Sequence, residues 1–313
     1  MMTKPTTMTV EEFVKSATMF YIDQQLEDNY ASSVASIVKE LQTSLPRIIT
    51  LDGLKAYVRE DKKALDRITS LLSISEEKFK RIITMLRVQK RHAVTSEWPL
   101  SKVQSQMIEN AEFMNEVCEL LMHGATSEKL STLIPDYYRE NFRIDHSTLG
   151  RLGSEDDIRR LVKKGLEGKY NNQLGDSFNK YVTDAVAEIC GKSGLTYVAK
   201  KKVTLAGKTF SLVIPDEAAP KILLDITYGI TTSSGQTKYA EAAEAVADKL
   251  RKRNAGKPEK EQIFYINVID GAGWVARQAD LVKIQRCSSY LINLASLNTV
   301  AEVINYIYGG INQ

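Results

Sequence analysis

From residue 10 to about residue 142, apolar residues recur at helical spacing, with few glycines and no sustained alternation of the kind a half-buried strand shows. This half is expected to be α-helical. Its clearest segment begins where Ser73 precedes Glu76 in an S-x-x-E capping arrangement, after which Phe79, Ile82, Ile83 and Leu86 follow at helical spacing. An upstream stripe of Ala64, Leu65, Ile68, Leu71 and Leu72 predicts a second helix, and the turn through Ser73 to Ser75 would join the two as a helix-turn-helix-like pair. A helix over about 113–121 should stop at His123-Gly124, and Pro135-Asp136-Tyr137-Tyr138 reads as a turn.

The texture changes between Asp145 and Gly153, where Gly150 and Gly153 flank Arg151 ahead of another capped helix. A boundary here divides the chain into an α-helical domain, 1–148, suited to DNA recognition or dimerisation, and an α/β domain, 149–313. In the second domain the pattern predicts helices over 155–166 and 175–189, then strands over 196–203, 209–214 and 221–228. A helix over 239–253, a strand over 262–268, a helix over 275–286, a short strand over 290–294 and a last helix complete it. Strands separated by helices make this an α/β core with a mixed sheet.

The 43% hydrophobic and 26% charged content is that of a folded chain rather than a disordered one. No run approaches the ~20 apolar residues of a membrane span. The opening Met1-Met2-Thr3-Lys4-Pro5 is polar where a secretory signal would be apolar. A cytoplasmic protein with no membrane partner is expected. Cys118, Cys190 and Cys287 are far apart and lack CxxC spacing, so they read as buried thiols, and the scattered His92, His123 and His146 read as structural.

A net charge of +3 does not announce nucleic acid, but its distribution says more. Basic clusters stand at Lys78-Phe79-Lys80-Arg81, over 87–91, at Lys200-Lys201-Lys202 and at Lys249-Leu250-Arg251-Lys252-Arg253. One such cluster is ordinarily a solvated face; several together make Lys78, Lys80, Arg81 and Arg251 candidates for DNA phosphate.

Candidate chemistry gathers over 208–228, two apolar strands around a Pro-bounded turn, with Asp225 embedded in the second strand. A carboxylate inside an apolar strand is costly unless it is paired or binds metal, although a strand-end carboxylate that emerges into water would look the same. The loop over 229–237 is rich in backbone donors and hydroxyls suited to a phosphate or a base edge, which makes Ser233, Ser234 and Gln236 candidate DNA contacts. Trp274 reads as a packing anchor.

The succession of helix, hairpin, acid-bearing strand, Gly/Ser-rich loop and a helix led by Thr237-Lys238, with Asp270-Gly271-Ala272-Gly273-Trp274 after a later strand, resembles the PD-(D/E)xK type II restriction endonucleases. The D-G-x-G-W turn makes it similar to the members that cut GATC, and the resemblance spans roughly 154–308. It implies Mg²⁺-dependent hydrolysis of duplex DNA at a short site, by a homodimer whose two-fold axis matches a palindrome. Matched position by position, Asp225 stands at the second acid and Thr227 where a lysine is usual. The first acid falls at Ser211 in the Phe-x-x-Val-Ile frame, while Asp216 gives only a Pro215-Asp216 dipeptide by the turn. A helix acid would fall at Asn179, with Asp176 or Glu188 as alternatives. Two readings follow: Asp216 or Asp176 joins Asp225 at the metal while Lys238 supplies positive charge, or the chain is a DNA-binding subunit that keeps the fold without hydrolysis.

Overall fold

The computed structural model describes residues 3–91, 96–147 and 154–309. The chain packs as two compact units, one over 25–170 and the other formed by the first 24 residues together with 171–313. Gly150, Arg151 and Gly153, on which the sequence placed its boundary, lie outside the described residues. The units divide instead within a helix, because the segments expected over 155–166 and 175–189 are continuous. No proline interrupts them, and Gly168 and Gly175 each weaken a helix by only about 1 kcal/mol.

The chain begins with α1 (Val10–Ser16), α2 (Gln24–Ile48), α3 (Leu51–Glu60), α4 (Ala64–Leu71), α5 (Glu76–Arg91), α6 (Leu100–Glu109) and α7 (Ala111–His123). Two single turns, α8 (Glu128–Ser131) and α9 (Asp136–Arg139), precede the long α10 (Glu155–Lys192). Apart from α1 and α9, these helices bury one core that includes Val34, Leu54, Leu65, Phe79, Val103, Leu121 and, from the start of α10, Ile158 and Val162. The α4–α5 pair forms as its periodicity requires, but with a different cap. Ser75 Oγ accepts the Lys78 N–H at 3.3 Å, while Ser73 turns the chain with φ 54°. Pro135 opens α9 rather than a plain turn, consistent with proline's place at helix starts.

In the other unit, β1 (Val198–Val203), β2 (Lys208–Ile214), β3 (Ile222–Tyr228), β4 (Phe264–Asp270) and β5 (Tyr290–Ile292) form one sheet in that order. The first three strands are antiparallel and the last three parallel, so the sheet is mixed as expected. The remaining helices are α11 (Ser234–Asn254) between β3 and β4, α12 (Ala272–Ala276) and α13 (Gln278–Cys287) between β4 and β5, and α14 (Thr299–Tyr308). One face of the sheet buries Leu212, Leu224, Ile266 and Ile292 against Phe178, Val182 and Val186 of α10 and Val300 and Ile304 of α14. The opposite face buries Val213, Leu223, Tyr265 and Leu291 against Ala240, Ala243 and Val246 of α11 and Leu281 and Ile284 of α13. With both faces covered, β4 is buried along its whole length and β3 over its first five residues, and both are apolar apart from a few enclosed polar side chains. The N-terminal segment joins this unit through Phe13, fully buried in the second core. Among the described residues no helix is long and apolar enough to cross a membrane.

Candidate active site

Asp225 does not emerge at the strand end: it is 4% exposed, in the middle of β3. Its Oδ2 accepts hydrogen bonds from Lys208 Nζ at 2.5 Å and from the Tyr265 hydroxyl at 2.6 Å. Tyr265 lies on the neighbouring parallel strand β4, where Asn267 is the register partner of Asp225. Asn267 extends the network, accepting from Tyr239 Oη at 2.7 Å and donating to Ser288 Oγ at 2.8 Å. The Lys208 ammonium also lies over the rings of Tyr239, 5.1 Å from its centroid, and Phe210, at 5.5 Å. Burial first, then the Asp225 charge, raises the Tyr265 phenol, and the same two causes raise Tyr239. Both therefore stay protonated as donors. The site offers a buried carboxylate, an ammonium and two phenols held on one sheet face.

Lys208 reaches that face because the alternation of β2 breaks. Strand residues two apart normally share a face, yet Phe210 and Val213 pack into the core beneath α11 while Leu212 and Ile214 pack on the other side. The break falls at Ser211, whose Oγ accepts the Ile226 N–H of β3 at 3.1 Å. Across from it, Lys200 of β1 has φ 51°, the bulge-like counterpart. The pairing of β2 with β3 runs from Ile214–Ile222 to Leu212–Leu224 and stops one step short of Ser211 and Asp225, where Ser211 offers a hydroxyl engaged with the β3 backbone.

The other acids stand elsewhere. Asp216 Oδ1 accepts the N–H groups of Ala218 and Ala219, both at 2.9 Å, and so closes the turn. Asp225 lies three residues up β3 from Ile222, the partner of Ile214 beside that turn, so about 10 Å of strand separates the two levels. Asp176 is exposed on α10, whose Phe178 and Val182 pack the sheet face opposite to Asp225's. The structure therefore does not gather the expected metal set of Asp225, Asp216 and Asp176. Among the described residues no group of three or more His, Cys, Asp or Glu side chains is placed to hold a metal ion. Thr227 is half-buried two residues beyond Asp225, and Lys238 is exposed on α11. What the sequence reading missed is Lys208, Tyr265, Tyr239 and Asn267. Tyr265 and Asn267 carried a signal, since they put polar atoms at alternate positions of the otherwise apolar Phe264–Asp270 strand.

The D-G-x-G-W turn has a packing role. A Cβ on Gly271, whose φ is 109°, would lie 2.3 Å from the Gly229 carbonyl oxygen, and one on Gly273 would lie 2.5 Å from that of Thr231. The two glycines thus let the turn press against the 229–231 backbone. Asp270 is fully buried and accepts N–H groups from Thr18 at 2.7 Å, Gly271 at 2.9 Å and Leu294 at 3.0 Å. Burial raises its carboxyl above the usual range, against the pull of those three amides. Trp274 is 1% exposed and meets the Tyr239 ring edge-on at 5.6 Å, the anchor its sequence position implied. Nearby, Asp280 accepts from Arg277 Nε at 2.7 Å and Thr237 Oγ1 at 3.1 Å.

The basic clusters are largely paired. Lys80 meets Glu76 at 3.1 Å and Glu97 at 3.8 Å, Arg81 pairs with Glu77, and Arg251 meets Asp248 at 2.7 Å. The Arg81 and Arg251 pairs are exposed, and pairs of this kind contribute little and can exchange for phosphate, whereas the Lys80 side chain is mostly covered. Lys78 lies over the ring of Tyr138, 4.8 Å from its centroid, with Tyr137 beside it at 5.7 Å. Arg87 lies over the Trp98 ring, while the side chains of 89–91 are outside the described residues. Ser233 caps α11, Ser234 begins it, and Gln236 Oε1 accepts the Ser233 N–H at 2.8 Å. Cys118 and Cys190 are buried, which pushes their thiols up to about 12 and about 11; Cys287 is half-buried.

No curated protein matches the chain. Residues 158–309, which run from α10 through the whole sheet to α14, match the family model of the BanI C-terminal domain, so this half of the chain is similar to a type II restriction endonuclease.

Proposed function

We propose that the chain hydrolyses phosphodiester bonds of duplex DNA as a type II restriction endonuclease, with Asp225 and Lys208 at its centre. The observation that carries this reading is the Asp225 carboxylate, enclosed in the sheet and bonded on one oxygen by an ammonium and a protonated phenol. Phosphate hydrolysis needs a base for water and a positive charge beside the phosphoryl oxygens. Asp225 supplies the first, and Lys208, a quarter exposed, supplies the second from a position open to substrate. Tyr265 holds the carboxylate in place. This assigns to Lys208 the charge that the sequence pattern sought at Thr227 or Lys238.

The Mg²⁺ that the resemblance implies does not find a protein-built centre here, since Asp225 is the one carboxylate at the site and its Oδ2 is already engaged. A metal would have to take its remaining ligands from water and DNA phosphate. Asp216 and Asp176 would join it only after rearrangement. Duplex contacts are assigned to Lys78, Lys80, Arg81 and Arg251, and to Ser233, Ser234 and Gln236 at the loop before α11. Homodimerisation follows from palindromic DNA, and GATC as the site follows from the D-G-x-G-W likeness. A specific observation favours a second reading, a DNA-binding subunit without hydrolysis: Lys208 already neutralises the only acid of the site.

Plasmid nicking tests the two. Wild type should cut duplex DNA with Mg²⁺ or Mn²⁺, with cuts mapping to GATC, and Asp225→Asn should lose at least about 10²-fold in rate while still shifting duplex DNA on a gel. Tight binding with no cutting by the wild type across divalent metals selects the second reading.

A further inference from the structure

The hydrogen bonds that reach Tyr239 have a direction, and it is fixed at their far end. The Ile284 carbonyl of α13 can only accept, so the Ser288 hydroxyl, 2.6 Å away, donates to it. With its one hydrogen engaged there, Ser288 Oγ accepts from the Asn267 side chain at 2.8 Å, which places the amide nitrogen on that side. Asn267 Oδ1 is thereby turned to Tyr239, whose hydroxyl donates to it at 2.7 Å. Asn267 is fully buried and is the β4 register partner of Asp225, so this bond tethers the phenol from within the sheet. The Tyr239 hydrogen is thus committed to Asn267, and the phenol that donates to Asp225 is that of Tyr265.

What Tyr239 gives the site is therefore its ring rather than its hydroxyl. The ring centroid lies 5.1 Å from Lys208 Nζ, and Trp274 packs against the same ring at 5.6 Å. Held at its hydroxyl and by the indole, the ring is a fixed surface. Lys208, by contrast, carries its ammonium on a flexible four-carbon stem, with a quarter of the side chain exposed, so water competes for the charge. An aromatic face attracts that charge without neutralising it. Phe210, two residues along β2, adds a second face 5.5 Å from Nζ.

We propose that Tyr239 is a positioning residue for Lys208, its tethered ring keeping the ammonium at Asp225 Oδ2, the place from which it meets a scissile phosphate. The part concerning phosphate rests on the nuclease reading. The part concerning the ammonium does not, because its order is measurable without substrate.

Nitrogen relaxation of the lysine ammonium groups measures that order, and the Lys208 signal is the one lost in Lys208→Met. In the wild type Lys208 Nζ should be more ordered than the solvated lysines. Tyr239→Leu should bring it down to their level, while Tyr239→Phe, which keeps the face, should retain most of the order. Where Tyr239→Leu does not fold, Tyr239→Met fills the space without an aromatic face. A folded Tyr239→Leu or Tyr239→Met that melts at lower temperature but leaves the Lys208 ammonium as ordered as in the wild type makes the tyrosine merely structural and overturns the proposal. So does a Tyr239→Phe as disordered as Tyr239→Leu. In cleavage, Tyr239→Leu should lower kcat about tenfold or more with little change in KM, and should lower it no further in a Lys208→Met background. A fall of equal size in that background means that Tyr239 acts by another route, and overturns the proposal. A wild type that cuts no DNA sinks the nuclease reading instead, and the ammonium measurement then decides the role of Tyr239 alone.

Discussion

Replacing Lys208 by methionine removes the one cation that, among the described residues, is bonded to Asp225, while keeping most of the side chain's volume. The Asp225 side chain is 6% exposed, and with Lys208 gone its Oδ2 keeps the Tyr265 hydroxyl alone. Breaking a fully enclosed ion pair by removing one partner costs 3–5 kcal/mol. The Lys208 side chain is 25% exposed, so water can reach the vacated side, and about 2–3 kcal/mol is expected. Asp225→Asn is milder, because the freed ammonium can swing into solvent; it loses one charge-assisted bond, about 1–2 kcal/mol. The double variant contains no stranded charge and should be no less stable than Lys208→Met, which gives a coupling of about 1–2 kcal/mol. Urea unfolding of the wild type, both singles and the double at pH 7 completes the cycle. In the nuclease reading Lys208→Met also lowers the cleavage rate by about 10²–10³-fold. A Lys208→Met no more destabilising than Asp225→Asn, or a double variant whose loss is the sum of the singles, would refute the reasoning that the pair is a buried charge couple.

Two further substitutions test the supports of the site. Burial raises the Asp270 carboxyl above its unfolded value of about 3.9, so the stability it contributes is full below that value and is lost as pH rises through its folded value. The stability of wild type relative to Asp270→Asn, from urea unfolding, should therefore be greatest near pH 3.5 and shrink toward pH 7; a constant difference contradicts it. Ser211→Ala leaves the Ile226 N–H without the Oγ that accepts it at 3.1 Å and should cost about 1–2 kcal/mol, with faster amide exchange at Ile226; exchange equal to the wild type's would show that a backbone carbonyl takes over.

The fold was legible where one face of each element is buried. The stripe of Phe79 and Ile83 and the apolar runs of β3 and β4 each report a covered surface, and these elements form where the periodicity puts them. The sequence misled where a local signal competed with packing. Ser73 and Glu76 spell a capping box, yet Ser75 is the cap, since the chain must turn at Ser73 to bring α4 and α5 together. The glycines of 165–175 look like a break, but in Gly165 the missing side chain answers a contact. A Cβ there would lie 2.9 Å from the Ser70 side chain, so the glycine serves close packing inside one helix.

Asp225 was legible for an energetic reason: an acid amid Ile222, Leu223, Leu224 and Ile226 must have a partner, wherever that partner lies in the sequence. Lys208 was not, for a geometric one. Strict alternation along β2 would place Lys208 on the face of Leu212 and Ile214, away from Asp225, and every pattern argument assumes that alternation. It reverses because Ser211 gives its hydroxyl to the Ile226 N–H, and because Lys200, across from it, adopts a left-handed conformation. Ser211 thus occupies the position at which the family pattern seeks a carboxylate and contributes something else, the change of face that carries an ammonium to the acid. A site whose cation is delivered by a break in strand alternation cannot be found from residue spacing, because the spacing describes the strand only up to the break.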